Sequence, residues 1–372
     1  MNRPDAPPAP LRLGGRPLHT VGPVRMYVCG ITPYDVTHLG HASTFLWSDL
    51  AARVLRATGS KVELTRNVTD VDEALLAAAR RSGEPYDLLA SRQRFAFDVT
   101  MSALGVRLPD HEPTARRSVR QVIALAAALV DLGAAYVVGG TVYARAAAAA
   151  ERAGVDEARA LELSREFGDE PDDPAKEHPL DTPVWLGGRE GDEVVWPSPW
   201  GPGRPGWHAQ CAAMVLGAYG TVDLHLGGAD LAYPHHAVEA LLAETATGVV
   251  PFARAWLRPG VVSVDGAKMA KSTGNLVLVD QLLASTTPSA VRLLCLARRP
   301  EEHWEYSPAL LEQAAATVEE LHAAAGRPGS ASGAAEVDAA LLDGLDVPRA
   351  LDAARGSGGP AARRAVELLG LR

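Results

Sequence analysis

The chain is poor in cysteine, in aromatic side chains and in positive charge. Its three cysteines in 372 residues, Cys29, Cys211 and Cys295, form no CxxC pair and no regular framework. That excludes a disulfide-stapled secreted scaffold and points to a reduced, cytoplasmic protein. No apolar run approaches the ~20 residues needed to cross a bilayer, so no membrane partner is expected. The opening MNRPDAPPAPLRLGG lacks the apolar centre of a signal peptide, and residues 1–22 read as a flexible lead. A net charge of −9 argues against general binding to nucleic acid. Aromatic residues make up 5% of the chain, and its last stretch carries no basic, aromatic-interleaved surface for reading RNA bases.

What is present suffices for a large buried core, since 47% of the residues are hydrophobic. VRMYVCG (24–30) predicts a short apolar strand. HLGHASTFLWSDLAARVLRATG has apolar residues at helical spacing and stops at Gly59, which predicts a helix with a glycine C-cap. KVELTRNVTDVDEAL reads as a second strand, a polar loop and a new helix. Strand, helix and strand in about forty residues predict an α/β, Rossmann-like parallel sheet. Residues 85–132 read as helical, and AAYVVGGTVYAR as a hairpin about Gly139–Gly140. From Glu162 to Pro205, rich in Pro, Gly and acid, regular structure is expected to fail. WHAQCAAMVLGAYG (helix), VDLHLGG (strand) and PHHAVEALLAETATG (helix) restore it. The remainder reads as helical, broken at GRPGSASGAAE and GSGGP.

Two groups of residues carry candidate chemistry. Cys29 ends the first strand, Cys211 lies on a later helix, and YPHHAVEA supplies His235 and Glu239. If Pro234 opens a helix, His235 and Glu239 share one face. Two thiolates, an imidazole and a carboxylate are credible zinc donors. Read from residues alone, a strand cysteine and a helix cysteine serve equally well as small core hydrophobes. His236 is an alternative to His235, and His208 stands nearby. Cys295, on the apolar AVRLLCLARRP helix, reads as core. The second group faces phosphate. THLGH puts His38 and His41 where the first strand hands over to the first helix, with Gly40 allowing close approach. Downstream, DGAKMAKSTGN places Lys268 and Lys271 in a Gly-flanked loop suited to neutralising a triphosphate. Either motif alone also fits an ordinary surface turn.

HLGH resembles the HIGH signature of class I aminoacyl-tRNA synthetases, and KMAKS resembles their KMSKS loop. YVCGITPYDVTHLGHAST, NVTDVDEALL, RPGWHAQCAAM, GGADLAYPHH and DGAKMAKSTGNLVLV, spread over roughly 24–300, resemble the cysteinyl branch. Within that branch the chain is most similar to the cysteine ligases of the mycothiol pathway. The resemblance implies the HUP-type fold of class I synthetases, with a catalytic domain over 23–300, a connective insertion at about 115–200, and a short helical domain over 301–372 without an anticodon-binding unit. It also implies one zinc ion held by Cys29, Cys211, His235 and, as in the synthetases, Glu239. A pocket for cysteinyl adenylate would be lined by Cys29, Gly30, Ile31, Thr32, Thr44, Asn67, Val68, Thr69, Trp207, Gly228, Ala229, Asp230 and Val262. His38, His41, Lys268 and Lys271 would act on the phosphates of ATP, with Mg2+. Ala270 replaces the usual serine of the signature loop, and Gln210 stands where glutamate is common.

The implied activity is ligation: ATP activates L-cysteine, AMP and pyrophosphate leave, and the cysteinyl group passes to the amine of glucosaminyl-inositol. A paralogue serving another small amine or a carrier protein is the alternative. A cysteinyl-tRNA synthetase is disfavoured because only about a hundred residues follow KMAKS. A binding module without catalysis is disfavoured because both signature histidines and both lysines remain. A monomer is expected.

Overall fold

The computed structural model describes residues 9–34, 36–192, 194–269 and 274–372. Its centre is a four-stranded, wholly parallel sheet in the order Ala253–Leu257, Val222–Leu226, Val24–Ile31, Val62–Val68. Its two inner strands are almost entirely buried, which is why they read as near-continuous apolar runs. The Leu39–Ala57 helix links the paired strands Val24–Ile31 and Val62–Val68 and ends two residues before Gly59, as the periodicity predicts. Successive strands extend the sheet first to one side of Val24–Ile31 and later to the other. That reversal opens a crevice beyond the carboxyl ends of Val24–Ile31 and Val222–Leu226, where α/β sheets bind ligands.

The insertion is more ordered than its composition suggests. Ala135–Val138 and Thr141–Ala144 form the expected hairpin, and Thr182–Gly187 and Gly203–Pro205 extend it into a four-stranded antiparallel sheet. The irregularity expected from Glu162 to Pro205 therefore gives way to two strands. Gly203 is there for contact: a β-carbon on it would strike Leu186 O and the Trp185 indole. Trp185, Leu125, Leu129 and Val184 build a separate core against Ala209, Ala212 and Leu242.

The helical stretch expected over 85–132 splits into Tyr86–Ala103 and Val119–Asp131. Between them, His111 and Pro113 accept from Arg66 N and Val68 N, covering the open edge of the parallel sheet. The lead over 1–22, expected to be flexible, is packed in its described part, with Leu11, Leu13 and Leu18 buried in the main core. At the other end, Pro308–Ala325, Ala331–Leu342, Val347–Ser357 and Gly359–Leu369 form a helical bundle. The break expected at GRPGSASGAAE ends at Ser330, and GSGGP interrupts the helices only at Gly358. Buried Arg292 ties this bundle to the sheet layer by donating to Leu369 O, Leu104 O and Asp49. Among the described residues no helix is long and apolar enough to cross a membrane.

Candidate active site

The crevice at the strand ends holds a cavity of ≈ 650 Å³. Cys29, Gly30, Ile31, Thr32, His38, His41, Thr44, Asn67, Thr69, Trp207, Cys211, Gly228, Asp230, His235, Val262 and Lys268 all line it. Of the expected pocket residues, Val68 instead faces a smaller cavity of ≈ 310 Å³, and Ala229 lines neither. Lys271 and Ala270 lie outside the described residues.

At one end of the cleft is the turn into the first helix. His38 caps that helix, its Nδ1 accepting from Gly40 N at 3.2 Å. The His38 and His41 rings stack with centroids 3.8 Å apart. Burial, and then His38, pull the His41 pKa down to about 3. His41 is therefore neutral near pH 7 and offers a ring N–H, with no fixed charge. Gly40 matters sterically, because a β-carbon would lie 3.0 Å from His38 and 3.4 Å from Met269.

At the other end, Cys29 from the strand, Cys211 from the Trp207–Ala218 helix and His235 bring one ligand atom each within 4.8 Å of one another, all buried. Asn67 is shared between backbone and thiol: Oδ1 accepts from Gly30 N at 2.8 Å, and Nδ2 donates to Cys211 Sγ at 3.4 Å. His235 Nδ1 meets His208 Nδ1 at 2.8 Å, leaving Nε2 for a ligand. The Trp207 indole stacks on His235 at 4.3 Å and fixes its ring. The hydrogen bond to Cys211 and burial push the Cys29 thiol well up. The same bond pulls Cys211 down, but burial and Glu239 outweigh it. Burial and neighbouring His208 hold His235 neutral. A buried cluster of two thiols and a neutral imidazole fits a soft divalent ion that stabilises both thiolates.

Glu239, expected as the fourth ligand, stands in a second group that overlaps the first. The chain kinks at Tyr233, which is extended within the wide turn Ala232–His236, and Pro234 follows that kink into the α-helix Ala237–Thr247. The Glu239 carboxylate meets His225 Nε2 at 3.1 Å and, with Cys29, His225 and His236, forms a second group able to hold a metal ion, which shares Cys29 with the first. Its Oε2, His225 Nδ1 and His236 Nε2 are buried with no hydrogen-bond partner among the described residues. His225 escaped the sequence reading; its one signal is a histidine inside the all-buried strand VDLHL. Gln210 is buried and donates to Pro205 O at 3.2 Å, which fastens the Cys211 helix to the insertion.

Lys268 sits on a short exposed strand at the cleft mouth. Its Nζ lies 2.6 Å from Asp230 Oδ2 and 5.3 Å from the centroid of Phe167. Phe167 stacks in turn on Trp207 at 5.9 Å. Phe167 was also missed: it is one aromatic in an acidic loop, SREFGDE, far in sequence from every motif.

Residues 17–316 match the family of the tRNA synthetases class I (C) catalytic domain. An L-cysteine:1D-myo-inositol 2-amino-2-deoxy-alpha-D-glucopyranoside ligase of Parafrankia sp. is 44% identical over 366 residues, covering 93% of this chain and 82% of that protein. Its counterpart in Mycolicibacterium vanbaalenii is 42% identical, covering 92% of this chain and 82% of the other. Among solved structures, Mycobacterium tuberculosis methionyl-tRNA synthetase in complex with methionyl-adenylate aligns over 94% of this chain and 82% of that chain. Its TM-score is 0.63 at 18% identity, a likeness of fold. The chain belongs to the class I (C) tRNA synthetase catalytic-domain family, and within it groups with the L-cysteine:1D-myo-inositol 2-amino-2-deoxy-alpha-D-glucopyranoside ligases.

Proposed function

We propose that this protein activates L-cysteine with ATP and joins it to the amine of glucosaminyl-inositol. The observation that carries the reading is a single cleft with the Cys29, Cys211 and His235 cluster at one end and the His38, His41 and Lys268 group at the other. In the first step a carboxylate oxygen of cysteine attacks the α-phosphorus of ATP. An O–P bond forms, the bridging P–O bond breaks and pyrophosphate leaves. His38 and His41 donate to phosphate oxygens, and Lys268, with Lys271 by its place in KMAKS, neutralises the departing charge. Mg2+ enters as the counter-ion of ATP. In the second step the free-base amine attacks the carbonyl carbon of the adenylate. The C–N bond forms as the C–O bond to phosphate breaks, AMP leaves with the electron pair, and the amine proton passes to water.

Cys29, Cys211 and His235 would hold zinc, and His208 and Trp207 would orient the His235 ring. When bound, zinc supplies a soft acceptor for the cysteine thiol, which a serine hydroxyl satisfies poorly. A site built on one such contact discriminates strongly without an editing step. Glu239 is read here as the support of His225 rather than the fourth ligand.

The test has two parts. Metal-replete protein should catalyse cysteine-dependent, serine-independent exchange of pyrophosphate into ATP. With ATP and cysteine it should convert glucosaminyl-inositol, and not tRNA, to a cysteinylated product seen by mass. Equal exchange with serine would overturn the thiol reading; cysteinylated tRNA would overturn the acceptor.

A further inference from the structure

Lys176 takes no part in the chemistry above. It belongs to the acidic stretch that follows the Glu157–Glu166 helix, yet its side chain is only 2% exposed. Burying an ammonium is unfavourable unless an opposite charge meets it. Its one ion pair among the described residues is with Asp169, Nζ to Oδ1 at 2.7 Å, and that contact closes the stretch 169–176 on itself. The closed turn is fixed to the insertion sheet by Tyr143, whose hydroxyl donates to Asp173 Oδ2 at 2.6 Å. Lys176 N adds a bond to Asp173 O at 3.1 Å. Asp169 lies two residues beyond Phe167, so the turn sets where the Phe167 ring is held.

Phe167 is the outer member of a column of three rings. Its plane lies 21° from that of Trp207, with centroids 5.9 Å apart, and Trp207 lies 19° from His235 at 4.3 Å. His208 holds His235 at Nδ1. A single hydrogen bond fixes one point of a ring, whereas a stacked face fixes its plane. Trp207 is the first residue of its helix, and Phe167 covers the indole on the side away from His235.

We propose that Lys176 and Asp169 are positioning residues for the thiol cluster: their buried pair holds Phe167 against Trp207, and Trp207 holds the His235 imidazole at the angle its ligand nitrogen needs. The inference rests on the zinc-and-cysteine reading above and extends it to residues of the insertion that touch no substrate. Lys268 Nζ also lies over the Phe167 ring, at 5.3 Å, so the deciding measurement is made at the metal, of which Lys268 is no ligand.

The test is the rate at which zinc-loaded protein gives up its metal to excess chelator, read beside the KM for cysteine in pyrophosphate exchange. Lys176→Met combined with Asp169→Asn removes both charges and leaves neither one orphaned in the interior. That variant should release zinc about tenfold faster than the wild type and raise the KM for cysteine by a similar factor, the scale of an outer partner of a metal ligand. Phe167→Leu should do the same, while Lys176→Arg stays near the wild type. Adding the charge-removing pair to Phe167→Leu should change nothing further, because the pair acts through the ring. Wild-type zinc release in Phe167→Leu would overturn the proposal whether or not the pair variant folds. So would wild-type release in a folded pair variant, or effects that multiply in the triple variant. Wild-type protein that holds no zinc would overturn the underlying reading instead, so the two failures are told apart.

Discussion

The two ends of the cleft are built on opposite principles. At the thiol end every candidate ligand is buried, anchored on a sheet strand, a helix and a wide turn, and braced by Asn67, His208 and Trp207. At the phosphate end His41 is only half-buried, and Lys268 is 45% exposed and held by one ion pair and one ring. Selection of a thiol over a hydroxyl needs fixed ligands and exclusion of water. Handling a large, highly charged nucleotide needs a cation that can travel. On the proposed function, the discriminating chemistry would lie in the interior and the charge-neutralising chemistry at the surface.

Breaking the interior end should cost most. Cys211→Ala is expected to lose bound zinc and to lower cysteine-dependent exchange by more than about 10³-fold, beyond the worth of one hydrogen-bond donor. Retained zinc with normal exchange would show that the cluster is ordinary packing. At the exposed end, Lys268→Ala should lower exchange by about 10²- to 10³-fold while zinc content stays at the wild-type level. A parallel fall in zinc would erase the contrast between the ends. Glu239→Gln sharpens the boundary of the interior site. If the carboxylate supports His225, zinc stays bound and exchange drops about tenfold, the scale of an outer partner. Zinc loss matching that of Cys211→Ala would make Glu239 a ligand after all.

The smallest effect concerns pH. Unfolded, the His41 imidazole takes up a proton near 6.5; folded, burial and His38 delay this to about 3. Between those values the unfolded chain binds more protons, so the stability tied to neutral His41 is complete above pH 6.5 and drains as pH falls toward 3. Urea midpoints measured across that window should fall less steeply for His41→Gln than for the wild-type chain. Identical slopes would mean that His41 does not remain neutral when folded.

Several of these features were legible before any fold was known. The Val24–Ile31 strand, the Leu39–Ala57 helix, and the places of Cys29, Cys211, His235, His38 and Lys268 follow from local pattern and signature. The partner of Glu239 was not, because His225 lies on another strand and an i, i+4 argument sees only its own helix. Nor were the strands Thr182–Gly187 and Gly203–Pro205 legible, since Pro and Gly marked a loop where Gly203 in fact admits the Trp185 ring. Phe167 gave no local signal at all.

By itself, then, the order of residues settled the periodicity of the elements and the chemical types brought to the cleft, because both depend on neighbours along the chain. Which thiol meets which imidazole, which acid braces a histidine and which ring lies under Lys268 were decided by packing alone. Those contacts join residues far apart in the chain, brought together by the sheet and by the insertion packed over it, and no local pattern encodes such a distance.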